Sequence, residues 1–589
     1  MLTRSCLRRT LLRLLIALPA AVLTGGCPRP PVRLAAPPPL NSASPKSTPL
    51  NAATLNAAPL KSARSQARFA DVTARAGLVF KQADGGCGSY YFVEPVAAGA
   101  AFLDANGDGF LDIYFPQPQP LGACKAKPAY KTPLRHRLYI NDGKGRFRLA
   151  ANAFGGAQTD YGIAAAAGDY NNDGHPDLYV ACYGRSRLFR NKGDGTFVDV
   201  TESARAGVQG LACGAVWFDY DRDGYQDLYV LRYCDWSVEI DVACWTRGRR
   251  EPCTPSFYVG SLSVLFRNNG NGTFTNVTAK ALPGQQRGRS LGAAAADFNR
   301  DGHLDLFVAN DLGPNFLYIN RGNGTFEEEG MVQNVAFGVT GSSQSNMGVA
   351  AADYDEDGDV DVLVTTFSNE PYTLYRNDDG FFTDVSAATG IARATLLYLG
   401  FGTGFFDAAN RGRLDLFFAN GHISPIAGLK SDNQTYKQRN QLLLNDGAGR
   451  YTDTPEALPK DNVRVHRGTC FGDVDNDGRI DILVTAQNDR PTLLRNESTA
   501  GNYLLLNLRD RHGCATPVGT RCIATVSGKK HVRLLLGGGS YAGESDHRVH
   551  FGLGAVTAVE KLEIRWLSGR TQVLKNVPAN QILTVREPK

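Results

Sequence analysis

The chain has 589 residues, of which 64 are Gly and only 3 Met, with 21% charged residues and a formal net charge of +5. Its length exceeds one ordinary core, and its composition suits turn-rich β structure rather than helical bundles. Residues 1–27 hold Arg4, Arg8, Arg9 and Arg13 and no acid, which leaves +1 on the remainder; no basic stripe stands out, so no nucleic-acid footprint is expected.

At the N-terminus a basic stretch, the apolar run Leu14–Leu23 and small residues before Cys27 read as a secretion signal over 1–27. Leu23-Thr-Gly-Gly-Cys27 has the form of a lipoprotein cleavage box, with Thr24 where Leu is usual, and makes Cys27 the expected lipid-bearing residue. Residues 28–66 are rich in Pro, Ala, Ser and Asn and lack aromatics, so they form no core and serve as a tether. No later segment reaches the ~20 apolar residues that span a bilayer. The expected location is extracytoplasmic, with membrane attachment only through the lipid.

Beyond the tether, Phe69-Ala-Asp-Val-Thr73 is a lone strand word, and acidic loops of the form D-x-[DN]-x-D-G-x-x-D then begin to recur. Ligand positions 1, 3, 5 and 9 are Asp104, Asn106, Asp108 and Asp112 in the first loop, and Asp169, Asn171, Asp173 and Asp177 in the second. The third has Asp219, Asp221, Asp223 and Asp227, and the fourth Asp297, Asn299, Asp301 and Asp305. The fifth has Asp353, Asp355, Asp357 and Asp361, and the seventh Asp473, Asp475, Asp477 and Asp481. Oxygen ligands at these positions, with a Gly at position 6 and a backbone carbonyl at position 7, suit Ca²⁺. The sixth loop, Asp407–Asp415, places Ala409 and Arg411 at positions 3 and 5. A guanidinium there replaces the ion by pairing with Asp407 and Asp415. About six calcium sites, mainly structural, are therefore expected.

The loops recur every 50 to 78 residues, and each period repeats four strand words: a small apolar strand, Asp-Leu-Tyr-Val, Leu-Phe-Arg-Asn, and Phe-x-Asp-Val-Thr. The period fits a four-stranded blade. The last period lacks its fourth word, and Phe69–Thr73 supplies it, which predicts ring closure by the N-terminal strand. The expected fold is all-β: a seven-bladed β-propeller over 67–500, then a small β-rich domain over 501–589.

The repeated words resemble the FG-GAP/VCBS repeats of the integrin α-chain head. The tail words Gly501-Asn-Tyr-Leu-Leu-Leu, His550-Phe-Gly-Leu-Gly554, Ile564-Arg-Trp-Leu-Ser-Gly569 and Asn576-Val-Pro-Ala-Asn-Gln581 resemble an ASPIC/UnbV domain. This order of domains, with Asn420-Gly-His422-Ile, resembles the cartilage acidic protein family and its bacterial relatives. The resemblance implies secretion, calcium and interaction roles.

Ten cysteines follow Cys27, an even number that favours disulfides in an exported chain. Cys514–Cys522 is the first expected pair and Cys87–Cys124 the second. Zinc is the rival, but no CxxC occurs. The stretch Arg232–Ser261, with Trp236, Cys244, Trp245, Cys253 and Tyr258, admits two readings: a disulfide-pinned spacer or a binding rim. His422 is the candidate acid–base group, compared with His466; a hydrogen-bonded structural histidine is the bland alternative. Gly537-Gly-Gly-Ser540 lacks the strand-to-helix setting of a phosphate loop. The expected function is a monomeric calcium-binding surface protein engaging a protein or glycan through loops on one face. The alternative is an enzyme acting on a small organic substrate at the channel mouth.

Overall fold

The computed structural model describes residues 67–127, 134–156, 160–431 and 433–589. The expected signal peptide, Cys27 and the tether lie outside the described residues. Among those residues no helix is long and apolar enough to cross a membrane.

Seven four-stranded antiparallel meanders are present among the described residues. Their first strands are Ala100–Leu103, Tyr161–Gly168, Gln209–Phe218, Ser290–Ala296, Val349–Ala352, Gly400–Phe406 and His466–Gly472. Each packs against the next in that order, and the last packs against the first, so they form a closed ring. The small apolar word of the sequence has a steric cause here. A Cβ on Gly348 would stand 1.9 Å from the carbonyl oxygen of Phe401 in the next meander.

The ring closes where the missing word predicts. Phe69–Asp71 pairs antiparallel with Thr492–Asn496, Phe69 opposite Asn496 and Asp71 opposite Leu494. Thr73 Oγ1 accepts the N–H of Leu493 at 2.8 Å, and Phe69 is buried edge-on to Phe406. The free edge of the last sheet is thereby covered.

The tail forms two sheets over a common core that includes Leu504, Leu506, Cys522, Phe551 and Trp566. One sheet places Asn502–Arg509 between Val549–Gly554 and Gln581–Arg586; the other runs Lys529–Leu534, Arg521–Val526, Ala558–Arg565, Thr571–Pro578.

Cys87–Cys124 is a disulfide, as is Cys244–Cys253. Cys514–Cys522 is not: both are buried free thiols. Cys522 points into the core of the tail, whereas Cys514 Sγ lies 3.7 Å from the carbonyl of Asp169 in the ring. The short Pro/Gly loop between them thus joins two different packing environments rather than clasping itself.

Candidate metal centres and the filled channel

Each acidic loop joins the first strand of a meander to the second, so the loops share one face of the ring. In the second loop Asp169 accepts the N–H of Asp173 at 3.1 Å and of Gly174 at 2.9 Å, and Asp173 accepts that of His175 at 3.0 Å. Asp219, Asp297 and Asp473 repeat the first two bonds. Position 6 has φ between +81° and +97° in all seven loops, a conformation that selects the recurring Gly.

The position 9 carboxylates are buried, and each accepts the N–H of an Asn at or next to the end of the third strand. Asp112 takes it from Asn141, Asp227 from Asn268 and Asp361 from Asn377, at 2.7–2.8 Å. Burial without a counter-charge pushes these acids up: Asp112 to about 7, Asp361 to about 9, and Asp227 and Asp481 well above the ordinary value.

Three loops carry Asp at position 3 and bring three carboxylates together. In Asp219/Asp221/Asp227, Asp353/Asp355/Asp357 and Asp473/Asp475/Asp481 the ligand oxygens lie within 4.8 Å of one another. The fifth loop is the most telling. Asp353 is fully buried, and neither of its carboxylate oxygens has a hydrogen-bond partner. An unpaired buried carboxylate is costly unless a cation meets it, and the donor set around it is that of a hard ion. The first, second and fourth loops place Asn106, Asn171 and Asn299 at position 3, each donating its amide to the position 5 carboxylate. Arginines lean on two sites: Arg267 reaches Asp221 at 2.5 Å and Asp223 at 2.9 Å, and Arg495 pairs with Asp475 and Asp477.

The sixth loop departs as its sequence implies. Arg411 Nη2 donates to both oxygens of Asp415, at 2.7 and 2.8 Å. Asp407 is not paired with that guanidinium; it accepts the backbone N–H groups of Arg411 and Gly412, at 2.8 and 2.5 Å.

Two sets of residues were missed in the sequence reading. Position 4, left-handed in every loop, ties neighbouring loops together: Asn172 donates to Gly224 O, Asn410 to Gly478 O and Asn476 to Gly109 O. Asn at that position was the available signal, since it tolerates the left-handed region. The second set fills the centre of the ring. Gly537–Gly538 pairs with Ser290–Ala296, and Gly543–Glu544 runs parallel to Ala100–Leu103. Ser540 Oγ donates to Thr469 O at 2.9 Å, and Tyr541, fully buried, packs edge-on to Phe401 and donates to Val96 O at 2.7 Å. A Cβ on Gly537 would stand 2.3 Å from Trp217 O. The Gly-rich word is therefore a plug threaded among the inner strands.

His422 is sealed. It is 1% exposed, its Nδ1 accepts the N–H of Ser424 at 2.9 Å, and burial lowers its pKa to about 4. His466 is likewise buried, and its pKa falls to about 3. Within Arg232–Ser261, Trp236 is buried with Nε1 donating to Asp241, whereas Trp245 and Phe257 are 63% and 57% exposed. The Cys244–Cys253 bond pins the hairpin that carries Trp245. Spacer and exposed surface thus coexist in the same insertion.

Family models match in both the ring and the tail. Residues 513–589 match the family model described as ASPIC and UnbV. The FG-GAP-like repeat model matches 132–180, 169–230, 240–308, 297–364 and 407–484. Cartilage acidic protein 1 of Mus musculus is 26% identical over 296 residues, 48% of this chain and 42% of that protein. The Homo sapiens protein is 27% identical over 293 residues, 48% of this chain and 41% of that protein. The alignments thus span less than half of these relatives. Among solved structures, BBS1N in complex with ARL6DN aligns over 73% of this chain and 98% of that one, at 12% identity and a TM-score of 0.39.

Proposed function

Because the chain belongs to the FG-GAP-repeat proteins that end in an ASPIC/UnbV domain, we propose that it is an exported calcium-binding propeller presenting a loop surface to a protein or glycan. The observation that carries the calcium reading is Asp353, buried with both oxygens unpartnered beside Asp355 and Asp357. A bound Ca²⁺ would offset the repulsion among three carboxylates and stiffen each turn. The two disulfides support an oxidising location. A lipid on Cys27, with 28–66 as the tether, belongs to the same proposal.

The surface that supports the interaction reading is the disulfide-pinned insertion with Trp245 and Phe257 exposed, since aromatic side chains on a rigid loop are effective anchors. The enzyme reading finds no comparable support. Its candidate acid–base group, His422, is 1% exposed, and its Nδ1 is taken by the N–H of Ser424.

Calcium analysis of the purified protein, before and after chelation, tests the proposal. About six bound ions are expected, with Asp353→Asn lowering the count by one. Protein that holds no calcium, or whose melting curve is unchanged by chelation, would overturn it.

A further inference from the structure

The sixth loop stands apart from its neighbours in two respects at once: it carries its own cation, and it makes main-chain contact with the tail. Gly501 N donates to Ala409 O at 3.0 Å, Gly554 N to Asn410 O at 2.7 Å, and Asn410 Nδ2 back to Gly501 O at 3.2 Å. The approach is close enough that a Cβ on Gly552 would lie 2.1 Å from Asp407 Oδ2.

The other seats of the tail rest on loops with intact ligand sets. Ala515 N donates to Asp169 Oδ2 at 2.8 Å, so a candidate ligand of the second loop is itself part of the seat. Thr516 exchanges hydrogen bonds with Gln226 of the third loop. Arg521 Nη2 donates to Gly358 O of the fifth at 2.5 Å. Arg548 donates to Asp473 O at 2.8 Å and Asn476 Oδ1 at 2.6 Å in the seventh. The plug, residues 537–544, lies between these seats in the chain and enters the ring with them.

We propose that calcium occupancy governs the seating of the C-terminal domain and its plug, with the sixth loop as a metal-independent hinge on which the domain stays attached. The proposal rests on the calcium reading. Without the ion, the second, third, fifth and seventh loops each crowd three or four carboxyl groups and lose the shape that their seats require. Arg411 is covalently part of the sixth loop and cannot be chelated, so that seat persists. Binding is reciprocal: a domain that seats only on ordered loops also raises their calcium affinity. Calcium withdrawal would then open the centre of the ring while leaving the chain folded.

Hydrogen exchange on the full chain, with and without chelator and with bound calcium counted in parallel, tests this. On chelation, amides of 514–516 and 537–544 are expected to exchange at least ~10-fold faster, while 501–506 and 550–554 and the outer strand Phe274–Asn276 keep their protection. Unchanged protection of the plug after the calcium has gone overturns the coupling and leaves the calcium reading intact. Simultaneous loss at Phe274–Asn276 shows general unfolding and also overturns it. Absence of bound calcium overturns both readings. The variant Ala409→Asp/Arg411→Asp, which restores the ligand set, should bind one more ion and make 501–506 and 550–554 chelator-sensitive. A folded variant whose hinge stays protected overturns the role of Arg411.

Discussion

Asn377, next to last in the third strand of the fifth meander, donates its side-chain amide to the carbonyl of Phe298, 2.8 Å away in the acidic loop of the preceding meander. Its backbone N–H meets Asp361 at 2.8 Å, and the same amide also reaches Val360 O at 3.1 Å. Asn141, Asn268, Asn320 and Asn496 make the equivalent link to the loop behind them. One residue type thus joins the buried carboxylate of its own loop to the backbone of its neighbour's. The ring is held between blades by polar contacts as well as by apolar packing.

Asn377→Ala keeps the backbone bond to Asp361 but strands two buried carbonyls. It should destabilise the fold by about 2 kcal/mol, read as a lower urea midpoint. An unchanged midpoint would show that the inter-blade link is incidental.

Phe69→Ala tests the closure. The ring is buried at 4% exposure in the core shared with Phe406 and Leu494, and truncation there should cost about 3 kcal/mol. Protease resistance equal to that of the parent protein would contradict a closing role for the N-terminal strand.

Arg411→Ala leaves the buried Asp415 carboxylate without its partner. Removing one member of such a pair should cost about 3 kcal/mol, and the loss should be the same with and without chelator. A loss seen only after chelation would mean that calcium can take the place of Arg411 in the sixth loop.

Three buried histidines and the half-buried His547 weaken the fold in acid. Burial lowers His136 and His466 to about 3 and His422 and His547 to about 4. The unfolded chain therefore binds more protons than the folded one below about pH 6.5, so this stability is full above that pH and falls as pH drops toward 4. At His136 burial is the main cause, with Arg187 and Arg137 adding to it, and Nδ1 also accepts the N–H of Gln117 at 3.3 Å and lies 2.8 Å from the Tyr114 hydroxyl. His136→Asn, which keeps an acceptor there, should flatten the slope of melting temperature against pH between 6.5 and 4. An equal slope in both proteins would count against it.

Thiol labelling checks the corrected pairing. Alkylation of the unfolded, unreduced chain should modify Cys514 and Cys522 and spare Cys87, Cys124, Cys244 and Cys253. A Cys514–Cys522 crosslink in the peptide map would restore the pair expected from spacing.

The sequence by itself determined the repeat, the strand order within each meander, the closing strand and the defective sixth loop. These are local matters: a glycine forced to positive φ, a carboxylate at a fixed offset, an alternating strand word. Closure was legible because a missing word and a displaced one are complementary in register. The tertiary structure alone decided which cysteines meet, because Cys514 and Cys522, close in the chain, are drawn into different cores. It also decided the fate of Gly537–Ser540. In the chain this is a flexible turn, and only the crowding of inner strands from several meanders makes it a plug. The same assembly places the tail on the acidic loops, a relation between residues hundreds of positions apart that no local pattern encodes. The loops announce a cation in sequence; what rests on them became visible only when the ring was closed and the tail set upon it.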